Sequence, residues 1–165
     1  MGVRADHHIS LRVGDIDRAI RFYVEALDGR LVSAPVEREG PYIERVFGEG
    51  TRVKVCHVAF DANAVELWQF LSPATAIPYA DQRTIGQMHF AVAVDDVAAT
   101  LGRVEAAGGR ARFPIGNVAG KEGAHFVYCE DPDGNVFELL DTTHAETVRW
   151  IIDAAPDAAP ENWKG

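Results

Sequence analysis

The chain carries the same pattern twice, about 81 residues apart. A histidine opens a short apolar run at His8 and again at His89. Each run is followed by an acidic residue, Asp15 or Asp96, and then by apolar residues at helical spacing. An internal repeat constrains the fold more than any single motif does. The sequence therefore predicts two modules of similar structure.

Each copy also ends in a strand that carries a carboxylate among apolar residues, Glu66 in the first copy and Glu138 in the second. The predicted order in each copy is strand, helix, strand, strand, strand, which is an α+β fold of two βαβββ modules in a single domain. The predicted boundaries are a first module at 6–72, a connector at 73–86, a second module at 87–142, and a C-terminal helix and tail at 143–165.

Periodicity and turn residues also predict the individual elements. Strands are predicted at 7–13, 30–34, 53–60 and 64–71, and then at 88–94, 110–113, 124–129 and 136–140. Helices are predicted at 15–27, 42–47, 96–107 and 145–154, and the chain from Pro156 onwards is predicted to be a loosely attached tail.

Composition restricts the classes of partner. A formal net charge of −9 opposes binding to nucleic acid or to an anionic membrane surface, so a small molecule is the expected partner. No apolar run approaches the roughly 18 residues of a membrane span, and the first residues lack a signal-peptide core. We expect a cytoplasmic protein whose two cysteines, Cys56 and Cys129, are buried and reduced.

Strand alternation indicates which polar side chains share a face. It groups Arg12 with His8 on the first strand, and it groups two aromatic residues with Glu66 on the strand that closes the first module. Aromatic residues on these faces are expected to form an apolar wall beside the polar groups. The residues of this predicted wall are Trp68, Phe70, Phe126 and Tyr128.

The other histidines are interpreted as lying outside the site. His7 alternates to the face opposite His8, and His57 has no repeat partner in the sequence, so both are predicted to be structural. His125 and His144 flank the last hairpin and the final helix and are expected to be exposed.

The repeated pattern resembles the vicinal oxygen chelate superfamily, which includes glyoxalase I, bleomycin-resistance proteins, methylmalonyl-CoA epimerase and extradiol dioxygenases. The resemblance runs from about residue 6 to residue 142. Its most specific part is the closing run of residues 131–139, DPDGNVFEL. The other residues that carry it are His8, 12–15, 21–23, 65–67, His89 and 94–96.

The resemblance implies that the curved sheets of two modules enclose a cleft with a metal ion. Carried over position by position, the ligands are His8, Glu66, His89 and Glu138. Two imidazoles and two carboxylates suit one divalent ion, namely Zn, Ni, Co, Mn or Fe(II). Four such ligands on a six-coordinate ion leave two positions for two oxygens of one substrate.

The chemistry implied is that of a lyase or isomerase, in which a carboxylate removes a proton next to a carbonyl. Resemblance to bacterial glyoxalase I favours Glu138 as the base, with Glu66 as the alternative, and matches Arg12 to a position that binds a substrate carboxylate. An epimerase like that of methylmalonyl-CoA, an extradiol-type dioxygenase, and a non-enzymatic hydrophobic drug or antibiotic-binding resistance protein remain as alternatives. The substrate, its thiol and the physiological metal are left open.

Family members commonly pair into dimers, and a sheet-rich repeat exposes edge strands, so we expect a homodimer. The sequence leaves open which two modules face each other across the cleft.

Overall fold

The computed structural model describes residues 7–61, 63–74, 83, 86–155 and 160. Most of the predicted connector at 73–86 and of the predicted tail from Pro156 lies outside these residues. The elements in chain order are β1 (Ile9–Arg12), α1 (Ile16–Leu27), β2 (Arg30–Arg38), α2 (Pro41–Phe47), β3 (Arg52–Ala59), β4 (Ala64–Ser72), β5 (Phe90–Ala93), α3 (Val97–Ala106), β6 (Arg110–Ala111), β7 (Gly116–Asn117), a 3-10 turn (Val118–Gly120), β8 (His125–Glu130), β9 (Val136–Leu140) and α4 (His144–Ala154).

The strands form two sheets with the same topology. The first has the order β1-β4-β3-β2, and the second has the order β5-β9-β8-β6, with β7 also paired to β8. In each sheet the first strand runs parallel to the last one, and the remaining pairs are antiparallel. The predicted α+β fold of two βαβββ modules is confirmed.

The first helix of each module begins at the predicted acidic residue. A side-chain oxygen of Asp15 accepts a hydrogen bond from the backbone N–H of Arg18, and Asp96 does the same for Ala99, both at 2.9 Å. These N-caps satisfy backbone donors that an isolated helix end leaves free. The repeated acidic residue therefore marks the start of the first helix in each module.

The two modules share one hydrophobic core, which lies on the helix side of both sheets. Helices α1 and α3 pack against each other, and Phe22 of α1 contacts Phe137 of β9 with ring centroids 6.0 Å apart. Strand residues between the site positions, such as Val65 and Leu67, are also buried there. The opposite face of each sheet carries the polar residues predicted for the site, and we call it the open face.

The DPDGN loop joins the modules. Asp133 accepts a hydrogen bond from the backbone N–H of Gly14, and the side chain of Asn135 donates to the carbonyl of Arg12. Inside the core, the hydroxyl of Tyr23 donates to Asp131 at 2.8 Å. Turn chemistry predicts a tight loop here, and the structure adds that the loop fixes one module to the other.

Several element bounds differ from the prediction. Strand β2 extends to Arg38 because it stays paired with β3 through two irregularities in register. Strand β6 is only Arg110–Ala111, and the chain reaches Pro114, which has no N–H for a ladder, soon afterwards. Strand β5, Phe90–Ala93, is shorter than predicted at both ends. Among the described residues, no helix is long and apolar enough to span a membrane.

Candidate metal centre

The first histidine and the first glutamate meet on the open face of the first sheet. His8 immediately precedes β1, and the parallel register pairs Ser10 of β1 with Glu66 of β4. Nε2 of His8 lies 3.2 Å from Oε2 of Glu66, and the hydroxyl of Ser10 donates to the same oxygen at 2.7 Å. We call these residues, with His57 described next, the first half-site.

His57 also contacts this carboxylate, which the sequence analysis missed. The antiparallel register of β3 and β4 places His57 opposite Glu66, and Nε2 of His57 lies 3.4 Å from Oε1 of Glu66. The sequence analysis interpreted His57 as structural and outside the site for lack of a repeat partner, whereas the structure places it next to Glu66. The available signal was the hairpin centred on residues 61–63, whose register pairs the two positions.

These contacts decide the acidity of Glu66. Burial acts to raise its pKa, but Ser10 and Trp68, together with the neighbouring His8 and His57, hold the pKa below its ordinary value. Only 15% of the Glu66 side chain is exposed, so solvent screens these interactions only weakly. This carboxylate is held as an anion in a fixed position.

The second half-site consists of His89, Glu138 and Tyr128. His89 precedes β5, whose parallel register with β9 pairs Ala91 with Glu138. Nε2 of His89 lies 3.6 Å from Oε2 of Glu138 and 3.3 Å from the hydroxyl of Tyr128. Tyr128 lies opposite Glu138 in the register of β8 and β9, as His57 lies opposite Glu66.

Glu138 has a different environment from Glu66. Burial raises its pKa above the ordinary value, and His89 only partly opposes this effect. Burial and the charge of Glu138 likewise raise the pKa of Tyr128, whose phenol therefore keeps its proton at neutral pH. The two halves have the same backbone but different hydrogen bonding.

Arg12 lies in a cage of aromatic rings on the first open face. Its guanidinium carbon is 5.7 Å from the ring centroids of Phe47 and Trp68 and 5.6 Å from that of Phe70. Burial lowers the pKa of Arg12, while the nearby Glu66 acts to raise it. Trp68 and Phe70 belong to the predicted wall, and Phe47 of α2 was not predicted. This cage suits an anionic group next to an apolar one.

A second aromatic cluster lies on the other open face. Phe113 has ring centroids 5.8 Å from Phe126 and 5.6 Å from Tyr128, and it is 40% exposed. Phe126 and Tyr128 were predicted for the wall, whereas Phe113 was assigned to a short strand. Each half-site therefore has its own group of aromatic residues.

The donors in each half-site fit a divalent ion, but one chain does not bring the halves together. Two ligands at right angles on an ion with bonds of about 2.1 Å are separated by about 3 Å, close to the observed His–Glu distances. In the described part of the chain, no three His, Cys, Asp or Glu side chains form a group that could hold an ion. A cleft of about 320 Å³ between the modules is lined by Ser10, Arg12 and His89 but by neither glutamate.

Two βαβββ modules with a His–Glu pair on each open face define a class of protein whose sites are built from duplicated modules. The model of the Glyoxalase/Bleomycin resistance protein/Dioxygenase superfamily matches residues 7–139. The chain belongs to this superfamily. It is 30% identical over 138 residues to a probable lactoylglutathione lyase of Vibrio parahaemolyticus, covering 84% of this chain and 91% of the relative.

Solved structures support the fold. A glyoxalase family protein from Bacillus cereus has a TM-score of 0.72 and 23% identity, covering 85% of this chain and 95% of the other. The fosfomycin resistance protein FosX from Mesorhizobium loti has a TM-score of 0.60 and 20% identity, covering 90% and 99%. At these identities the likeness shows the fold alone.

Proposed function

We propose that the protein is a metal-dependent lyase or isomerase of the glyoxalase type. The observation that carries this proposal is a His–Glu pair at equivalent positions of both modules, on the open face of each sheet and with donor distances that suit a divalent ion. The similarity to a probable lactoylglutathione lyase over most of both chains supports the same reaction class.

The ion would be held by His8, Glu66, His89 and Glu138. When bound, a divalent ion supplies a Lewis acid that stabilises negative charge on two vicinal oxygens of a substrate. Nitrogen and oxygen donors without thiolate suit Zn, Ni, Co, Mn or Fe(II).

Glu138 is the residue proposed to move the proton. The Glu66 carboxylate accepts a hydrogen bond from Ser10 at 2.7 Å and lies 3.2 Å from His8 and 3.4 Å from His57, whereas Glu138 lies 3.6 Å from one histidine, His89. A carboxylate with few tethers can turn towards the substrate. In a hemithioacetal, Glu138 would take the proton from the carbon that bears sulfur and return it to the neighbouring carbonyl carbon. The hydroxyl proton of the first carbon would pass to the oxygen of the second, which yields a 2-hydroxyacyl thioester.

Arg12 and the aromatic residues are proposed to bind the rest of the substrate. A guanidinium pairs with a carboxylate through two parallel hydrogen bonds, and the rings around Arg12 would contact an apolar group next to that carboxylate. The cluster of Phe113, Phe126 and Tyr128 would contact the apolar part of the substrate.

A second copy of the chain is proposed to complete the centre. Each half-site offers one imidazole and one carboxylate, and a stable site needs about four ligands. A symmetric dimer that sets the first open face of one copy against the second open face of the other makes two complete centres. It also covers the exposed apolar side chain of Phe113.

Metal analysis tests the chemistry. We expect about one equivalent of a divalent metal per chain, less in the Glu66→Ala variant, and turnover of hemithioacetals or 2-substituted acyl thioesters, with catechol cleavage as a control assay. A protein that binds none of Ni, Zn, Co, Mn and Fe(II) when they are added would be a binding protein and would contradict the proposed function.

Mixing two inactive variants tests the shared centre. In a His8→Ala/His89→Ala mixed dimer, one centre carries both changes and the other carries neither. Random exchange of subunits should therefore restore about a quarter of the unaltered activity. Centres contained within one chain would give no recovery, which would contradict the proposed assembly while leaving the reaction class intact.

A further inference from the structure

We propose that His57 is a positioning residue that holds Glu66 in place as a ligand and so leaves Glu138 as the carboxylate that moves the proton. This inference rests on the proposed function and adds to it the unequal roles of the two glutamates. His57 lies directly across the β3–β4 ladder from Glu66, with Nε2 3.4 Å from Oε1.

Ser33 of β2 fixes the ring of His57 from the other side. The hydroxyl oxygen of Ser33 accepts a hydrogen bond from the backbone N–H of His57 at 2.9 Å and lies 3.3 Å from Nδ1 of the same residue. The hydroxyl oxygen accepts that bond with a lone pair, and the hydroxyl proton can still be donated to Nδ1. The ring is thereby clamped between a hydroxyl and a carboxylate.

Ser33 and Glu66 determine which ring nitrogen of His57 carries the proton. An ionised carboxylate only accepts hydrogen bonds, so Nε2 of His57 must carry a hydrogen to interact favourably with Glu66. The opposite tautomer would direct a lone pair of Nε2 at the carboxylate. With Nε2 protonated, His57 presents an N–H to Glu66 across 3.4 Å, an electrostatic contact longer than an ordinary hydrogen bond, and is not a third nitrogen ligand.

The geometry of the carboxylate agrees with this role. His57 faces Oε1 of Glu66, whereas His8 and Ser10 face Oε2. The carboxylate is therefore restrained at both oxygens and cannot rotate freely. Donors of this kind orient metal ligands and commonly affect metal affinity about as strongly as activity.

The second module lacks such a donor at the equivalent position. Tyr128 occupies the place of His57 in the strand register, but its hydroxyl lies 3.3 Å from His89. The substitution of tyrosine for histidine across the repeat thus removes a restraint from Glu138. A second position adds to this difference, because Ser10, which donates to Glu66 at 2.7 Å, is replaced by Ala91 opposite Glu138.

Nitrogen NMR of the histidine rings in metal-free protein tests the contact directly. We expect His57 to carry its proton on Nε2, identified by loss of its signals in His57→Gln. A ring with an unprotonated Nε2 would overturn the proposal, whatever the metal measurements show. This result does not depend on whether the protein is a lyase.

Zn²⁺ affinity, measured by competition with a chelating dye, tests the consequence. His57→Leu should weaken binding by about 10- to 100-fold, and His57→Gln, which keeps an N–H donor, should recover most of the loss. The matched control is His125→Gln, which removes a histidine–carboxylate contact with Asp141 on the second sheet and should leave affinity unchanged.

The outcomes separate the two proposals. Unchanged affinity in His57→Leu, or complete loss of Zn²⁺ in both variants as expected for a ligand, would overturn the role of His57. Failure of the unaltered protein to bind any divalent ion would instead overturn the proposed function. Circular dichroism of each variant would verify that it folds.

Discussion

The two half-sites have nearly the same backbone and different side-chain environments. In both, a histidine precedes the first strand and a glutamate lies on the parallel last strand. Glu66 lies next to Ser10, His8 and His57 and has a lowered pKa, whereas Glu138 lies 3.6 Å from His89 and has a raised pKa. The duplication thus preserves the ligand positions, and the residues paired with each glutamate on its two neighbouring strands distinguish them.

This difference shows how a symmetric fold can support an asymmetric reaction. A fixed carboxylate is suited to hold an ion, and a loosely held one is suited to carry a proton. Because the fold repeats the ligand positions, it is the partners of each ligand that divide the labour. The predictions below test how far the two halves are equivalent, beginning with the largest effect.

Removing either histidine should have the largest effect and should be equal in the two halves. His8→Ala and His89→Ala each delete one of four proposed ligands, so each should lose both bound metal and detectable turnover. Metal analysis and activity assays on the two purified variants measure this. Full metal content in either variant would remove that histidine from the ligand set.

Replacing each glutamate by glutamine should distinguish the roles of the two half-sites. Glu138→Gln should reduce turnover by about 10²- to 10⁴-fold, the usual contribution of a general base, while retaining much of the metal. Glu66→Gln should instead reduce metal content more than turnover per bound metal. The comparison requires turnover normalised to metal in each variant, and the opposite ranking would reverse the assigned roles.

Two equivalent glycines test the similarity of the cores. A Cβ on Gly29 would lie 2.7 Å from the carbonyl oxygen of Tyr23, and one on Gly109 would lie 2.7 Å from that of Glu130. Alanine at either position should lower the free energy of unfolding by about 1–3 kcal/mol. Urea denaturation of both variants measures this.

The matched control is Gly102, inside α3, where a Cβ would meet nothing within 4 Å. Gly102→Ala should stabilise the protein by about 0.5–1 kcal/mol because alanine has the higher helix propensity. A loss of stability in Gly102→Ala would show that close contacts of the added Cβ are not needed to explain the losses at Gly29 and Gly109.

The smallest effect concerns the helix caps and pH. The hydrogen bond from the backbone N–H of Arg18 lowers the pKa of Asp15. The ionised Asp15 side chain therefore stabilises the fold at pH values above about 4, the ordinary pKa of an aspartate. This stabilisation is lost as pH falls through the lowered pKa. Asp15→Asn keeps a capping oxygen without charge, so its small deficit in Tm at pH 7 should vanish at low pH.

Asp96→Asn is the comparison for that measurement. Helix α1 has Arg18 and Arg21 near its acidic cap, and α3 has Ala99 and Gly102 at the corresponding positions. The deficit in Tm at pH 7 should therefore be smaller for Asp96→Asn than for Asp15→Asn. Equal deficits would show that the arginines add nothing to the cap.

Much of the fold could be predicted because it depends on local patterns. The repeat, the capped helices and the alternation of Glu66 with buried Val65 and Leu67 are all visible in the chain. Apolar spacing does not rank the residues of α1 by burial, since Phe22 is fully buried while Ile20 is only partly buried. Packing between α1 and α3, and not helical spacing alone, decides which of these residues lies innermost.

The sequence by itself determined the two modules, the His–Glu pair on each sheet and the family resemblance, because strand alternation and capping act over a few residues. Only the tertiary structure decided that His57 contacts Glu66, since that contact depends on hairpin register. It also decided that the DPDGN loop joins the modules and that one chain keeps its two half-sites apart. These features depend on how distant segments pack, which no local pattern encodes.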